Sequence, residues 1–235
     1  MLLQPIVHDG IRTAYRIARP RAFRLAQERR TAPLHAGTSY RCFDDTKSIF
    51  IHVPKTAGVS VCEALYGTSV IGHARLRHYQ VVYDWKTYAS YFKFAFVRNP
   101  WDRLVSAYAF LRAGGWHDGD RRWAAEHVTI YDSFEAFVCK GLPRPEVSAW
   151  RHFLPQCRFL TDPLTARIGV DFVGRFESVQ GDFRTIAERI GVRPELPHRN
   201  RSRDGTPYRD AYTPRAAEVV RQVYARDIDE FGYEF

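Results

Sequence analysis

Only five of the 35 basic side chains in this 235-residue chain are lysines: Lys47, Lys55, Lys86, Lys93 and Lys140. Arginine forks grip phosphate and sulfate in a bidentate way, whereas lysine is a point charge that can follow a leaving oxygen, so a lysine in a loop after an apolar run stands out. Cysteine is sparse as well. Cys42, Cys62, Cys139 and Cys157 lie far apart with no CxxC or histidine-rich spacing, so neither a disulfide framework nor a zinc site is signalled. Free thiols in a reducing compartment are the simpler account. No run approaches the roughly 18 apolar residues that cross a bilayer, and the N-terminus has no apolar signal core. A soluble, cytoplasmic protein is expected. Internal repeats and low-complexity tracts are absent, and no carboxylate cluster offers a metal ion a home.

What is present is basic and moderately apolar: 45% hydrophobic residues, enough for a substantial core and one compact unit, and a formal charge of +9. That charge makes polyanions the expected partners, whether nucleotide, nucleic acid, acidic glycan or membrane surface, without choosing among them. Residues Ile11 to Arg30 mix Ile, Ala, Phe and Leu with arginines. They read as a basic helix, either an ordinary surface helix or one in peripheral contact with a membrane. Thr31 to Ser39, broken by Pro33 and Gly37, reads as a linker, dividing an N-terminal segment (1–40) from a main domain (41–235).

Three strand-loop-helix units follow. Ile49, Phe50, Ile51 and Val53 form a nearly continuous apolar run of the kind buried on both faces of a parallel sheet, and the helical spacing of Val59, Val61, Cys62, Leu65 and Tyr66 stops at Gly67. Phe94 to Val97 make the second strand, after which Asn99 caps a helix with Pro100 at its first position and Asp102 in its first turn. Gly114 to Asp120 read as a mobile connection. Phe172 to Phe176 make the third strand, with Ser178 capping a helix that ends at Gly191, and Thr213-Pro214 announces a closing helix. The expected fold is α/β, a three-layer arrangement with a central, mostly parallel sheet flanked by helices. Right-handed crossovers bring the loops after the first two strands to one carboxyl edge.

At that edge PKTAGVS offers backbone N–H groups at a helix N-terminus, with Lys55 and the hydroxyls of Thr56 and Ser60. This is anion-binding equipment. It is not a Walker A loop, since G-x-x-x-x-G-K-[ST] is absent and the lysine precedes the glycine, which argues against an ATPase or ordinary kinase. The second loop supplies Arg98 and, two helical turns on, Ser106, a pair able to hold a second phosphate. Taken alone, this loop reads rather as a surface ion-pair residue, Arg98, with Ser106 an inert helix position.

Together, PKTAG and RNPWDRLVSAY resemble the carbohydrate sulfotransferase family, which includes the heparan and chondroitin O-sulfotransferases; VGRFESV and YTPRAAEVVRQVYARDIDEFGY extend the resemblance over Ser48 to Phe235. It implies a P-loop-like fold and the donor 3′-phosphoadenosine 5′-phosphosulfate (PAPS). In the family the first loop wraps the 5′-phosphosulfate, here Lys55, Thr56, Ala57, Gly58, Val59 and Ser60. The second motif takes the 3′-phosphate, here Arg98 and Ser106, and a later basic loop closes over the nucleotide, here Arg201 with Ser202. Transfer is in line, with charge gathering on the leaving oxygen where Lys55 stabilises it. No metal is required, because a sulfuryl group carries less charge than a phosphoryl group.

An acceptor hydroxyl must shed a proton, and GHARLRHYQ offers His73 and His78. The GH position resembles the histidine-using branch of the family, which makes His73 the expected base, with His78, Glu63 and His52 as alternatives. WRHFLPQCRFL resembles a segment bordering the acceptor cleft, implying His152 and Gln156 as substrate contacts. Trp116 and Trp123 are candidate sugar platforms. The acceptor is expected to be a glycan or other hydroxyl compound and not a nucleic acid. Rival readings are a nucleotide or small-molecule kinase, and a noncatalytic binder of anionic glycan or nucleic acid.

Overall fold

The apolar runs become the strands of one sheet. The computed structural model describes residues 3–34, 39–68, 71–193, 196 and 207–235. Its strands are β1 (Ser48–Ile51), β2 (Phe92–Val97) and β3 (Phe172–Arg175), in the order β1-β2-β3. β1 and β2 are parallel, with Ser48 opposite Phe92 and Ile51 opposite Ala95, so they finish at the same edge. β1 is buried throughout and β2 from Lys93 onward, which is why both read as continuous rather than alternating apolar runs. Lys93 is tolerated inside because its ammonium donates to the Tyr88 and Tyr91 carbonyls at 3.2 and 2.7 Å and meets Asp171 at 3.1 Å.

Contacts gather around two cores, where the chain's length suggests one. The first unit is Met1–Val53, Ala57–Phe96 and Phe159–His198; the second is Pro54–Thr56, Val97–Arg158 and Arg199–Phe235. The first unit contains the sheet. Phe50 stacks on Phe94 at 5.0 Å, and Tyr40, Phe43, Tyr66 and Tyr79 form an edge-to-face cluster.

The helix expected over Ile11 to Arg30 is two helices, α1 (Leu3–Ala18) and α2 (Pro20–Thr31). Proline explains the break: it excludes the preceding residue from the α region, so Arg19 sits at φ −137°, and it opens α2 at its first position. Both helices are fastened to this unit. The buried His8 ring donates from Nε2 to the Tyr83 carbonyl at 3.1 Å, Gln27 donates to the Val82 carbonyl at 2.8 Å, and Arg30 grips Asp44 with two bonds of 3.0 and 2.9 Å. Further along come α3 (Arg41–Thr46), α4 (Gly58–Tyr66), α5 (Leu76–Val82) and α6 (Trp85–Ser90). No helix among the described residues is long and apolar enough to cross a membrane.

In the second unit α7 (Pro100–Arg112) lays Trp101, Leu104, Ala107 and Leu111 against Val128, Phe137, Phe153, Val220 and Tyr224. Asn99 caps α7 as its sequence predicts, accepting from the Trp101 and Asp102 amides at 3.1 and 3.5 Å. The stretch Gly114 to Asp120, read as mobile, is instead pinned. Asp120 is buried and accepts from the Trp116 amide at 3.2 Å, and Gly115 (φ +69°) has no room for a Cβ beside it. The helix α8 (Asp118–His127) starts from this turn. The closing helix is likewise two, Pro214–Val223 and Ala225–Phe231.

A glycine sets the spacing of the sheet. A Cβ on Gly174 of β3 would lie 2.6 Å from the Phe96 ring. Gly174→Ala should therefore destabilise the protein by about 1–3 kcal/mol, read as a lowered midpoint in thermal denaturation; an unchanged midpoint would contradict this close approach.

Candidate active site

β1 leads through His52, Val53 and Pro54 into the loop. Lys55 and Ala57 both adopt left-handed backbone, at φ 71° and 65°, a conformation costing a residue with a side chain about 1 kcal/mol or more. Such strain, held by surrounding structure, is characteristic of ligand-gripping turns. α4 begins at Gly58, and its N-cap residue, Ala57, has no side chain able to cap its first amides. Gly58 is obligatory there, because a Cβ would overlap the His52 imidazole. Thr56 and Ser60 are buried, and Val59 lies half-buried between them along the chain.

In the first unit the His52 ring stacks on Phe50 at 5.5 Å and tilts against His73 at 4.2 Å. The His52 carbonyl meets His73 Nδ1 at 3.0 Å. A carbonyl can only accept, so Nδ1 carries the hydrogen and Nε2 of neutral His73 is left with the basic lone pair. His52 thus serves as a support. His78 hydrogen-bonds the Tyr40 hydroxyl at 3.0 Å, and burial, with the nearby Arg29 charge, pushes its pKa down to about 4, so it remains neutral. Glu63 lies half-buried on α4.

In the second unit Lys55 and Arg98 come together. The Arg98 guanidinium donates from Nε and Nη2 to one oxygen of Asp102, both at 2.8 Å, and from Nη1 to the Lys55 carbonyl at 3.2 Å. The Lys55 ammonium lies 4.3 Å from the centre of the Phe110 ring, and among the described residues no carboxylate pairs with it. Burial, reinforced by the Arg98 charge, lowers its pKa to about 8. Ser106 is buried on α7, one turn beyond Asp102 on the same face.

Gln156, expected beside the acceptor, has no exposed surface. Its amide accepts from the Arg98 backbone N–H at 2.9 Å and donates to the Arg98 carbonyl at 2.8 Å, so it positions Arg98. His152 packs on Phe110, the ring beneath Lys55, with Nε2 3.7 Å from the buried Asp120. Two residues missed in the sequence anchor this segment. Arg103, fully buried, donates to the His152 and Leu154 carbonyls at 3.2 and 2.8 Å; Asp227 accepts from the Gln156 and Cys157 amides at 2.6 and 2.8 Å. Phe110 was also missed, although its helical register, three turns beyond Asn99, marks it as facing the loop side with Ser106.

The remaining expectations divide. Trp123 stacks flat on Trp150 at 4.4 Å, so that face is taken, whereas Trp116 is 72% exposed. Arg201 and Ser202 lie outside the described residues. All four cysteines are free thiols. Among the described residues no group of His, Cys, Asp and Glu is arranged to hold a metal ion.

A lowered lysine pKa is a signed prediction. A bound anion raises it back toward the usual value, so at pH 8 to 9 anion binding must take up a proton. Calorimetry of 3′-phosphoadenosine 5′-phosphate binding in buffers of different ionisation enthalpy should show proton uptake in the wild type and none in Lys55→Met. Equal uptake in both would place the titrating group elsewhere.

Comparison with known proteins closes the case for the family. An uncharacterised protein of Archaeoglobus fulgidus is 29% identical over 112 residues, covering 47% of this chain and 77% of that protein. No solved structure gives a significant match. The sequence profile of the sulfotransferase family matches residues 38–234, the PKTAGVS and RNPWDRLVSAY segments included. The chain belongs to the sulfotransferase family.

Proposed function

We propose that the protein transfers the sulfuryl group of PAPS to a hydroxyl of a carbohydrate acceptor, on a P-loop-like three-layer fold built from residues 41–235. The observation that carries this reading is the Lys55–Arg98 pair: a lysine whose pKa is lowered by burial and further by the arginine's charge, with the arginine fastened to the lysine's backbone. Asp102 already offsets the charge of Arg98, whereas Lys55 has no carboxylate partner among the described residues, and a partly buried cation is costly unless an anion completes it. A donor bearing phosphate at both its 3′ and 5′ positions supplies that anion twice, to Lys55 through Ser60 and to Arg98 with Ser106.

In the transfer, a bond forms between the acceptor oxygen and sulfur while the bond from sulfur to the 5′-phosphate oxygen breaks. His73 Nε2 takes the hydroxyl proton, its tautomer held by the His52 carbonyl. Lys55 receives the charge that develops on the departing oxygen. His152 and the exposed Trp116 are the second unit's contributions toward the acceptor in this reading, and Arg201 with Ser202 those toward the nucleotide.

Incubation with radiolabelled donor and a panel of glycans and phenols tests it. His73→Ala should lower the turnover number about 100- to 10,000-fold with little change in nucleotide affinity, and Lys55→Ala should abolish transfer. Full transfer by Lys55→Ala would refute the mechanism; loss in that variant alone would assign the base to another group. Thermal stabilisation by 3′-phosphoadenosine 5′-phosphate in the presence of a chelator, but not by ATP, separates this reading from a kinase.

A further inference from the structure

An amphipathic helix on a protein surface ordinarily turns its apolar stripe inward. α1 does the reverse. Its inner side is the polar one: His8, 2% exposed, donates to the Tyr83 carbonyl and packs against the Trp85 and Tyr88 rings at 5.4 and 5.1 Å, and the Arg12 guanidinium lies 5.0 Å from the centre of the Phe23 ring of α2. Turned half a revolution away are Ile6, Gly10, Ala14 and Ile17, four positions on one helical stripe, with Val7 beside them. Ile6 is 71% exposed, Ile17 74% and Val7 41%. Exposed aliphatic side chains in a stripe, on a helix whose other side is fastened, mark a surface that something else covers.

The charge around this stripe identifies the covering surface. Residues 3–31 contain seven arginines and two acids, Asp9 and Glu28. Both acids are engaged, Asp9 by the Trp85 amide at 2.9 Å and Glu28 by Arg24 at 3.9 Å. Arg16, Arg19, Arg21 and Arg24 are exposed around the turn from α1 to α2, as is Arg29 further along α2. Arg19 and Arg29 also line a concavity of the first unit with Arg75 and Arg77, and its lining contains no acidic residue. A second copy of the chain seated on α1 would bring another net positive segment against this one, a repulsive pairing. A bilayer of anionic phospholipid offers both complements at once, acyl chains for the aliphatic stripe and phosphate groups for the guanidinium forks.

We infer that α1 docks on the surface of an anionic phospholipid bilayer, its Ile6 and Ile17 stripe entering the acyl boundary while the arginines of the α1–α2 turn meet lipid phosphates. The helix stays on the protein when it docks, because the contacts of His8 and Arg12 lie on its opposite side. α1 precedes residues 38–234, so the docking device is built outside the part of the chain that the family shares. Binding of this kind is reversible, since it rests on a few aliphatic side chains and on arginines that each contribute about fivefold near an anionic surface. It does not depend on which reaction the protein catalyses.

The test is flotation of the full chain with vesicles. Wild-type protein should float with vesicles of phosphatidylcholine and phosphatidylglycerol in equal parts, less so as salt is raised, and should stay behind with phosphatidylcholine alone. Ile6→Ser/Ile17→Ser should lower the partition coefficient at least about tenfold, and Arg16→Gln/Arg21→Gln should lower it about twentyfold. All four side chains are exposed, so the thermal midpoint by circular dichroism should stay unchanged and report that each variant is folded. A wild type that fails to float with phosphatidylglycerol, floats equally with phosphatidylcholine, or floats undiminished as either folded variant would overturn the inference. So would a wild-type dimer in analytical ultracentrifugation that Ile6→Ser/Ile17→Ser converts to monomer while vesicles remain unbound, which would assign the stripe to a second copy.

Discussion

The fork of Arg98 governs how the second unit holds its two cations, Arg98 and Lys55. Its guanidinium must satisfy Asp102, one turn into α7, and at the same time reach the carbonyl of Lys55. The backbone of Arg98 is clamped from the other side by Gln156, whose own amide nitrogen is held by Asp227. A buried arginine is stable only when its charge is paired in this way. The pairing fixes where Lys55 must be, and the lysine is left as the charge without a carboxylate partner among the described residues. Its burial on Phe110 lowers its pKa, so it is poised to gain from an arriving anion more than an exposed lysine would.

The first unit solves a different problem with equal economy of parts. His52 directly follows β1, and that one residue acts twice: its ring closes the space over Gly58, and its carbonyl orders the tautomer of His73. The preference for glycine in the loop and the identity of the basic nitrogen therefore trace to the same place. His78, a few residues on, shows how environment separates two similar side chains, since burial and Arg29 hold it neutral against Tyr40.

Much of this was legible in the residues. Apolar runs bounded by loop chemistry located all three strands, Asn99-Pro100 located the start of α7, and Gly67 and Gly191 take the left-handed conformations expected of helix ends. The failures have physical causes. Pro20 divided a helix that composition alone drew as continuous. Gly114 to Asp120 looked loose because a burying partner, Asp120, is visible only once the turn is folded. Gln156 looked like a ligand contact because motif position says where a residue lies and not which backbone its amide will clamp. Arg103 and Asp227 were invisible for the same reason: they act on main-chain groups, which leave no trace in sequence.

In the proposed reading, Arg98 meets a phosphate distinct from the one at Lys55. The most direct measurement is a calorimetric comparison of 3′-phosphoadenosine 5′-phosphate with adenosine 5′-phosphate, in the wild type and in Arg98→Met. The account predicts that the 3′-phosphate tightens binding at least about tenfold in the wild type and that the advantage disappears in the variant. Equal affinity of the wild type for the two nucleotides, or an advantage that survives the loss of Arg98, would contradict it.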